Sequence, residues 1–221
     1  MVSQTHSTSP TANTPKVSGP GRPKDLGKRA AILDAAKRLF PKEGFAGVSM
    51  DQIAAEAGVS KLTVYSHFGD KEALFFAAVQ AKCDEMLPQD LFTQELKGPL
   101  PTQLKAIASA FFALLSTEEA ISTHRMMLTP GAIDDKLRRL FWEAGPQRTH
   151  DAFGSFLEAR VANGELEIND IPRATEQFFS LVKGEIHSRM MCGLCARPGR
   201  SDVNAHIEAN VDMFLRAYAK R

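Results

Sequence analysis

The feature of this sequence that most constrains its fold is a pair of short helical segments joined by a glycine, within residues 49–68. Ser49 stands before the segment MDQIAAEAG in the position of a helix N-cap, and Gln52 occupies the capping-box position three residues later. The second segment begins at Ser60. Gly58 lies between them, where the turn requires a residue that tolerates a positive φ angle. The pattern therefore predicts two short helices that cross near Gly58.

The two predicted helices divide their side chains between an apolar face and an outer face. The apolar inner face would consist of Ile53, Ala57, Val59, Val64 and Phe68. The outer face of the second helix would carry Lys61, Leu62, Thr63 and Ser66. Side chains presented at the start of such a helix can reach base edges in the major groove of DNA, which is about 12 Å wide. The sequence therefore predicts a helix-turn-helix that contacts double-stranded DNA.

The rest of the chain also has the residue spacing of helices. From Asp25 to Gly44, apolar residues recur every three or four positions, which predicts a first helix. Beyond a fourth helix at about 70–86, we expect helices at about 99–116, 117–128, 134–162, 171–191 and 202–219. No segment alternates polar and apolar residues over the length of a strand. The predicted fold class is therefore all-α.

Three regions are predicted along the chain. Residues 1–23 are rich in Ser, Thr and Pro and contain little that can be buried, so we expect a disordered tail. Residues 24–70 would form an N-terminal three-helix DNA-binding domain, and residues 71–221 a second, C-terminal helical domain.

Charge is unevenly distributed along the chain. Positions 1–48 contain eight Lys and Arg residues against three Asp and Glu residues, although the net charge of the whole chain is only +1. This asymmetry indicates a polyanionic partner for the N-terminal part. Arg22 and Lys24 lie in this stretch, and we expect them to contact DNA phosphates or the minor groove.

Other classes of protein are disfavoured by what the sequence lacks. The three cysteines are an odd number and do not form a secreted disulfide framework. There is no apolar run of 18 residues and no signal-peptide core, so we expect a cytoplasmic protein without a membrane partner. No paired carboxylates, catalytic triad or glycine-rich phosphate loop is present, and we expect no catalytic residues, no metal and no cofactor.

A longer residue pattern follows the glycine. Positions from Gly58 to Leu74 match G-V-S-x-x-T-x-Y-x-H-F-x-x-K-x-x-L at Gly58, Val59, Ser60, Thr63, Tyr65, His67, Phe68, Lys71 and Leu74. Earlier matching positions are Ile32, Ala35, Ala36, Leu39, Phe40, Gly44, Phe45, Ile53 and Ala54. Through these positions, residues 26–80 resemble the DNA-binding domain of the TetR/AcrR family of repressors. Met50 departs from the pattern, since the family often has Thr there.

The resemblance implies roles for individual residues. Tyr65, His67 and Lys71 resemble the family's residues that contact the DNA backbone. Ser49 would contact a phosphate through its hydroxyl or backbone N–H. The base-reading positions are occupied by Lys61, Leu62, Thr63 and Ser66. Among these, Lys61 would donate to guanine O6 and N7, and Leu62 would pack on a thymine methyl group.

Residues 141–190 are similar to the AefR-like subgroup of the family's C-terminal regions. This similarity implies a homodimer that binds a palindromic operator and has a two-helix interface on 171–191 and 202–219. The apolar stripes expected in that packing are Ala174, Phe178, Leu181, Val182, Glu185 and Met190, and Ile207, Val211, Phe214, Leu215 and Tyr218.

By the same resemblance, a small-molecule effector would bind among the helices between residues 70 and 162. Adaptable aromatic and methionine side chains suit a small apolar ligand. The predicted liners are Phe76, Phe111, Phe112, Met126, Met127, Phe141, Trp142 and Phe153. His124 and Arg125 are weaker candidates for orienting a polar or anionic end of the ligand.

We therefore expect a transcriptional repressor that is released from its operator by a small apolar ligand. One alternative is a redox- or metal-responsive regulator that uses the C-x-x-C pair Cys192 and Cys195, for which His187 is the only further metal ligand nearby. The other is a ligand-binding module of the same fold that no longer binds DNA.

Overall fold

The structure, a computed structural model, describes residues 25–93 and 98–220, and its regular elements are helices. They are α1 (Leu26–Gly47), α2 (Met50–Glu56), α3 (Lys61–Phe68), α4 (Lys71–Met86), α5 (Leu100–Leu115), α6 (Glu118–Leu128), α7 (Asp135–Trp142), α8 (Arg148–Ala162), α9 (Ile171–Met191) and α10 (Arg200–Tyr218). In these ranges β pairing is limited to a bridge between Leu166 and Ala219. The all-α prediction is confirmed. No helix in the described part combines the length and apolar character that a membrane span requires.

Oxygen-bearing caps define where the N-terminal helices begin. The side chains of Asp25, Ser49, Ser60 and Asp70 each accept a hydrogen bond from a backbone N–H in the first turn that follows. The predicted capping box forms only in part, because the Gln52 amide donates to Glu43 Oε2 over 2.7 Å. The short helices α2 and α3 therefore start at the predicted positions.

The first helix is interrupted at Gly44 and continues to Gly47, whereas the sequence predicts that it ends at Gly44. The φ of Gly44 is +74°, and this breaks the regular pattern in which Phe45 N–H donates to the carbonyl of Pro41. Instead, Phe45 N–H donates to Sδ of Met126 over 3.1 Å. The Ser122 hydroxyl donates to the Pro41 carbonyl over 2.5 Å. Both partners lie on α6, so the interruption of α1 is also the place where α6 docks.

Two hydrophobic clusters form the core, and α4 contributes to both. The first cluster joins the side chains of α1–α4 to Met127, Ile133 and Leu137 from the second half of the chain. The second cluster is built from α5 and α8–α10 and is rich in phenylalanine. Phe75, on α4, lies in the first cluster, while Cys83, on the same helix, packs against the second. The N-terminal head and the C-terminal helices are therefore packed together through α4, α6 and α7.

The apolar stripes of α9 and α10 face the interior of this chain. The family resemblance implies a dimer interface on these helices, but seven members of the stripes are buried within the single protomer: Ala174, Phe178, Val182, Met190, Ile207, Val211 and Phe214. Helical periodicity shows that a helix has an apolar face, but it does not show whether that face meets its own chain or a second copy. Residues that remain exposed on α10 include Ala205, Ala209 and Met213.

Candidate DNA interface and internal cavity

The helix-turn-helix has the geometry that its sequence predicts. Gly58 adopts a φ of +65°, and Val59 N–H donates to the carbonyl of Ala54 over 3.0 Å, which closes the turn between α2 and α3. Ile53 and Val64 are fully buried between these helices and α1. Because α3 is anchored by its inner face, its opposite face is presented to solvent.

The side chains predicted to read bases lie on the solvent side of α3. Lys61 and Ser66 are exposed, and Leu62 is 79% exposed. Thr63 is half-buried, and its Oγ1 lies 2.8 Å from Oγ of Ser60. The ammonium of Lys61 is 2.8 Å from an Asp51 carboxylate oxygen on α2. An exposed ion pair of this kind contributes little to stability, so Lys61 can exchange Asp51 for another acceptor at small cost.

The residues predicted to contact phosphates differ in their exposure to solvent and in the hydrogen bonds that they already make. Tyr65 is 42% exposed. Lys71 Nζ donates to the carbonyl of Val48 over 2.8 Å and lies 4.4 Å from the centre of the Phe45 ring. His67 is half-buried, and its Nδ1 has no hydrogen-bond partner among the described residues. The Ser49 hydroxyl accepts from Gln52 N–H. Arg22, Lys24 and the predicted tail 1–23 lie outside the described residues.

A cavity of about 400 Å³ lies below this head. Its walls come from α1, α4, α5, α6, α7, α8, α9 and the π-helical turn Glu143–Gln147 that joins α7 to α8. The sequence predicts one helix over about 134–162, whereas the structure has α7 and α8 joined by this wider turn, which adds Gly145 and Pro146 to the cavity wall. The volume lies within the range of about 300–1,000 Å³ that is usual for ligand pockets.

Four of the eight predicted liners reach the cavity: Phe111, Met127, Phe141 and Trp142. The other four, Phe76, Phe112, Met126 and Phe153, are not among the residues of its wall. Consecutive residues on a helix point about 100° apart, so Phe112 and Met126 turn away when their neighbours face inwards. Phe112 and Phe153 are fully buried in the second cluster, and Met126 accepts from Phe45 on α1.

One side of the cavity is lined by basic side chains that the sequence analysis mostly missed. Lys183 and His187 project from α9 on either side of its interruption at Gly184, and His124 and His150 come from α6 and α8. Burial lowers the pKa of Lys183. Burial also lowers the pKa of His124 and His150, and it lowers the pKa of His187 to about 4, with smaller contributions from His124 and Lys183. The rings of His124 and His187 are 6.1 Å apart.

Of this polar group, only His124 was named as a ligand-orienting candidate from the sequence. Its Nδ1–H donates to the Ala120 carbonyl over 2.7 Å. Arg125, its neighbour in that prediction, lies outside the cavity wall and donates to the carbonyls of Met190 and Met191. The sequence does contain a signal for two of the missed residues. Lys183 and His187 are four positions apart, a spacing that would place them on the same face of a regular helix.

The three cysteines are free thiols in the structure. Cys192 is exposed on the turn after α9, and Cys195 is half-buried. Burial raises the pKa of the Cys83 thiol to about 11, which makes it a poor nucleophile at neutral pH. In the described part of the chain, no group of three or more His, Cys, Asp or Glu side chains is arranged to hold a metal ion.

Comparison with known proteins gives matches over both halves of the chain. Residues 32–78 match the family model of bacterial regulatory proteins of the tetR family. Residues 102–220 match the model of the AefR-like transcriptional repressor C-terminal domain. YdeS from Bacillus subtilis, described as an uncharacterized HTH-type transcriptional regulator, is 28% identical over 77% of this chain and 82% of its own length.

Solved structures show the same relationship. A putative TetR-family regulator from Mesorhizobium loti is 26% identical, with a TM-score of 0.76 over 90% of this chain and 99% of its own. The flavonoid-responsive regulator FrrA is 34% identical, with a TM-score of 0.71 over 89% of this chain and 100% of its own. The chain therefore belongs to the TetR family of helix-turn-helix transcriptional regulators and is a DNA-binding regulator of transcription.

Proposed function

We propose that this chain is a repressor that binds a palindromic operator as a homodimer and leaves it when a small molecule occupies the cavity. The observation that carries the proposal is that the cavity wall shares two helices with the DNA-binding head. Phe40 of α1 and Phe75 of α4 line the cavity and also belong to the cluster that holds α2 and α3 in place. A ligand that changes the packing there changes the position of α3 as well.

The DNA contacts in this proposal come from α3 and the residues beside it. Lys61, Leu62 and Ser66 would meet base edges because they are exposed on its outer face. Thr63 would contribute from the same helix. The backbone contacts would come from Ser49, Tyr65, His67 and Lys71. The Lys71 ammonium has three donors, of which Val48 takes one, so it can hold the head together and still contact a phosphate.

The proposed coupling between cavity and operator runs through α6 as well as α4. Thr123, His124 and Met127 of α6 line the cavity, while Ser122 and Met126 bond to α1 at its interruption. A ligand that displaces α6 would lengthen or break these two hydrogen bonds and so move α1. The protein would then shift towards the conformer in which the two heads of the dimer no longer fit the operator.

The experiment that tests the proposal is a selection of bound duplexes from a random pool by the purified protein. We expect one enriched site composed of two inverted half-sites, with their centres about one helical turn of DNA apart or slightly more. A panel of flavonoids and aromatic acids is then tested for release of that site, because FrrA is a flavonoid-responsive relative. Enrichment of no sequence would contradict the proposal and favour the module that no longer binds DNA.

Ser122→Ala is expected to weaken the coupling while leaving both sites intact, because it removes the hydroxyl that bonds to Pro41. The measured quantity is the operator dissociation constant with the best releasing compound divided by the constant without it. A typical coupling free energy is about 1–3 kcal/mol, and we expect this ratio to be closer to one in the variant by about fivefold or more. Operator titrations by fluorescence anisotropy measure this ratio. Ser109→Ala, at an exposed position of α5, is the matched control. An equal ratio in both variants would show that the bond from Ser122 to Pro41 does not transmit the signal.

A further inference from the structure

We propose that the effector of this cavity is an aromatic acid whose anionic oxygen is held by Lys183. The inference rests on the proposed function, since it names the ligand class of the same site. It also replaces the purely apolar ligand expected from the sequence with an amphipathic one. The observations that support it are the pairing of the cationic side chains, the Nε2 of His187 that lacks a partner among the described residues, and the volume and apolar residues of the cavity walls.

The cationic side chains that line the cavity differ in whether they form ion pairs with carboxylates. Lys37 pairs with Asp34 and Glu85 at 2.9 and 3.0 Å, and Arg138 pairs with Asp135 at 2.9 Å. For Lys82 and Lys183, no ion pair occurs among the described residues. The only carboxylate among the described residues that line the cavity is Glu119, which is exposed. Positive charge on this wall therefore exceeds the negative charge that the protein supplies.

Lys183 is the better anchor of the two unpaired lysines because of its neighbours. Burial lowers its pKa, which means that the ammonium there is short of both water and a counterion. An anion bound beside it supplies the counterion and raises the pKa again, so anion binding and charging of Lys183 favour each other. Lys183 is half-buried, and a charge-assisted hydrogen bond formed there is stronger than one between neutral groups.

The imidazole of His187, near Lys183 on α9, offers a further hydrogen bond to the same ligand group. His187 Nε2 is buried and has no hydrogen-bond partner among the described residues. A buried polar atom without a partner is unfavourable, and a ligand oxygen would satisfy it. Because its pKa is lowered to about 4, His187 is neutral at pH 7 and can donate one hydrogen bond. His124 lies on the other side, with its ring centre 6.1 Å from that of His187.

The remaining walls fit an aromatic body. Phe111, Met127, Phe141 and Trp142 line the cavity, and His124 meets the Phe141 ring edge to face at 5.4 Å between ring centres. Aromatic and methionine side chains pack well on a flat ring system. A volume of about 400 Å³ is enough for two or three rings and too small for a large lipid. The combination of an apolar slot and a basic end selects an acid with an aromatic body.

Trp142 provides a direct readout of binding. It is the only tryptophan of the chain and it lines the cavity, so its fluorescence reports a bound ligand without any DNA present. The probes are two matched pairs: biphenyl-4-carboxylic acid with biphenyl-4-carboxamide, and 7-hydroxyflavone with 7-methoxyflavone. The first pair tests a carboxylate and the second an acidic phenol, which are the two sources of an anionic oxygen. We expect the acidic member of at least one pair to bind about 10- to 100-fold more tightly than its neutral partner.

The variants assign this preference to one residue. Lys183→Met is expected to abolish the preference for the acid and to leave the affinity for the neutral partner within about threefold, since its side chain has a similar length and no charge. Lys183→Arg keeps the cation and is expected to retain a preference. Lys82→Met is the matched control, because it removes the other unpaired lysine of the wall. Thermal unfolding of each variant confirms that the protein is folded.

The outcomes separate this inference from the proposed function. Equal binding of both members in each pair, or no binding of any probe, overturns the inference. So does an acid preference that survives in Lys183→Met or disappears only in Lys82→Met. If an acid binds as expected but does not release the operator in the anisotropy titration, the ligand class stands and the ligand-released repressor is wrong. If a neutral member releases the operator with equal affinity, the repressor stands and the inference fails.

Discussion

Lys61→Ala is expected to lower operator affinity by about 2–6 kcal/mol for a dimer, because each half-site loses one contact worth about 1–3 kcal/mol. The reason is the exposed position of Lys61 at the first turn of α3, where its ammonium is held only by Asp51. Repeating the selection of bound duplexes with the variant measures the effect base by base. The preference should weaken at one base pair in each half-site and remain elsewhere.

A change in charge alone must be distinguished from the loss of a base contact. Lys105→Ala is the control, since the side chain of Lys105 is 43% exposed and also belongs to a surface ion pair, with Glu208 at 3.0 Å, but it lies on α5. We expect this variant to bind the operator within about twofold of the original protein, because a surface charge far from the duplex is screened by salt. An unchanged base preference in Lys61→Ala would refute its role in reading sequence.

Gly184→Ala is expected to reduce the free energy of unfolding by about 2–4 kcal/mol, which combines backbone strain with a steric clash. Gly184 has a φ of +54° and a ψ of −169° inside α9, a region of backbone space that only glycine occupies readily. A Cβ atom there would lie 2.7 Å from Cε1 of His206. The ring of His206 cannot easily retreat, since its Nε2 is 2.8 Å from the Val182 carbonyl. Denaturant titration measures the change.

Gly154→Ala is the matched control for this substitution. Gly154 lies within α8, and a Cβ there would have its nearest neighbour at 3.7 Å, which is an ordinary contact. Alanine should therefore stabilise the protein at this site by roughly 0.5–1 kcal/mol. Adding His206→Ala to Gly184→Ala should recover the steric part of the loss and leave the backbone part. Equal stabilities of Gly184→Ala and Gly154→Ala would contradict the assigned strain.

The helix-turn-helix is predictable from the sequence because its determinants are local. The caps at Ser49, Ser60 and Asp70 and the turn at Gly58 each depend on groups within a few residues of one another. The structure confirms their positions and the exposed outer face of α3. The assignment of individual side chains to bases and phosphates stays a prediction, which the selection experiments test.

The cavity is only half predictable because it depends on contacts between distant parts of the chain. Residue type indicates which side chains suit a ligand, but the rotation of each helix decides which of them face it. Phe111 faces the cavity and Phe112 the core, although the two are adjacent and alike. Lys183 reaches the cavity from α9 opposite His124 of α6, and no local pattern brings these two together. For the same reason, periodicity does not reveal that seven residues of the α9 and α10 stripes pack within the protomer.

The sequence by itself determined the fold class, the family, the helix starts and the DNA-reading face, since capping, turn formation and amphipathicity are governed by neighbours along the chain. Tertiary structure alone decided which helix faces form the cavity, how α6 docks on the interrupted α1, and where Lys183 lies without an ion pair among the described residues. Those properties arise from packing and electrostatics between segments far apart in sequence, where each helix is positioned by all of its neighbours at once.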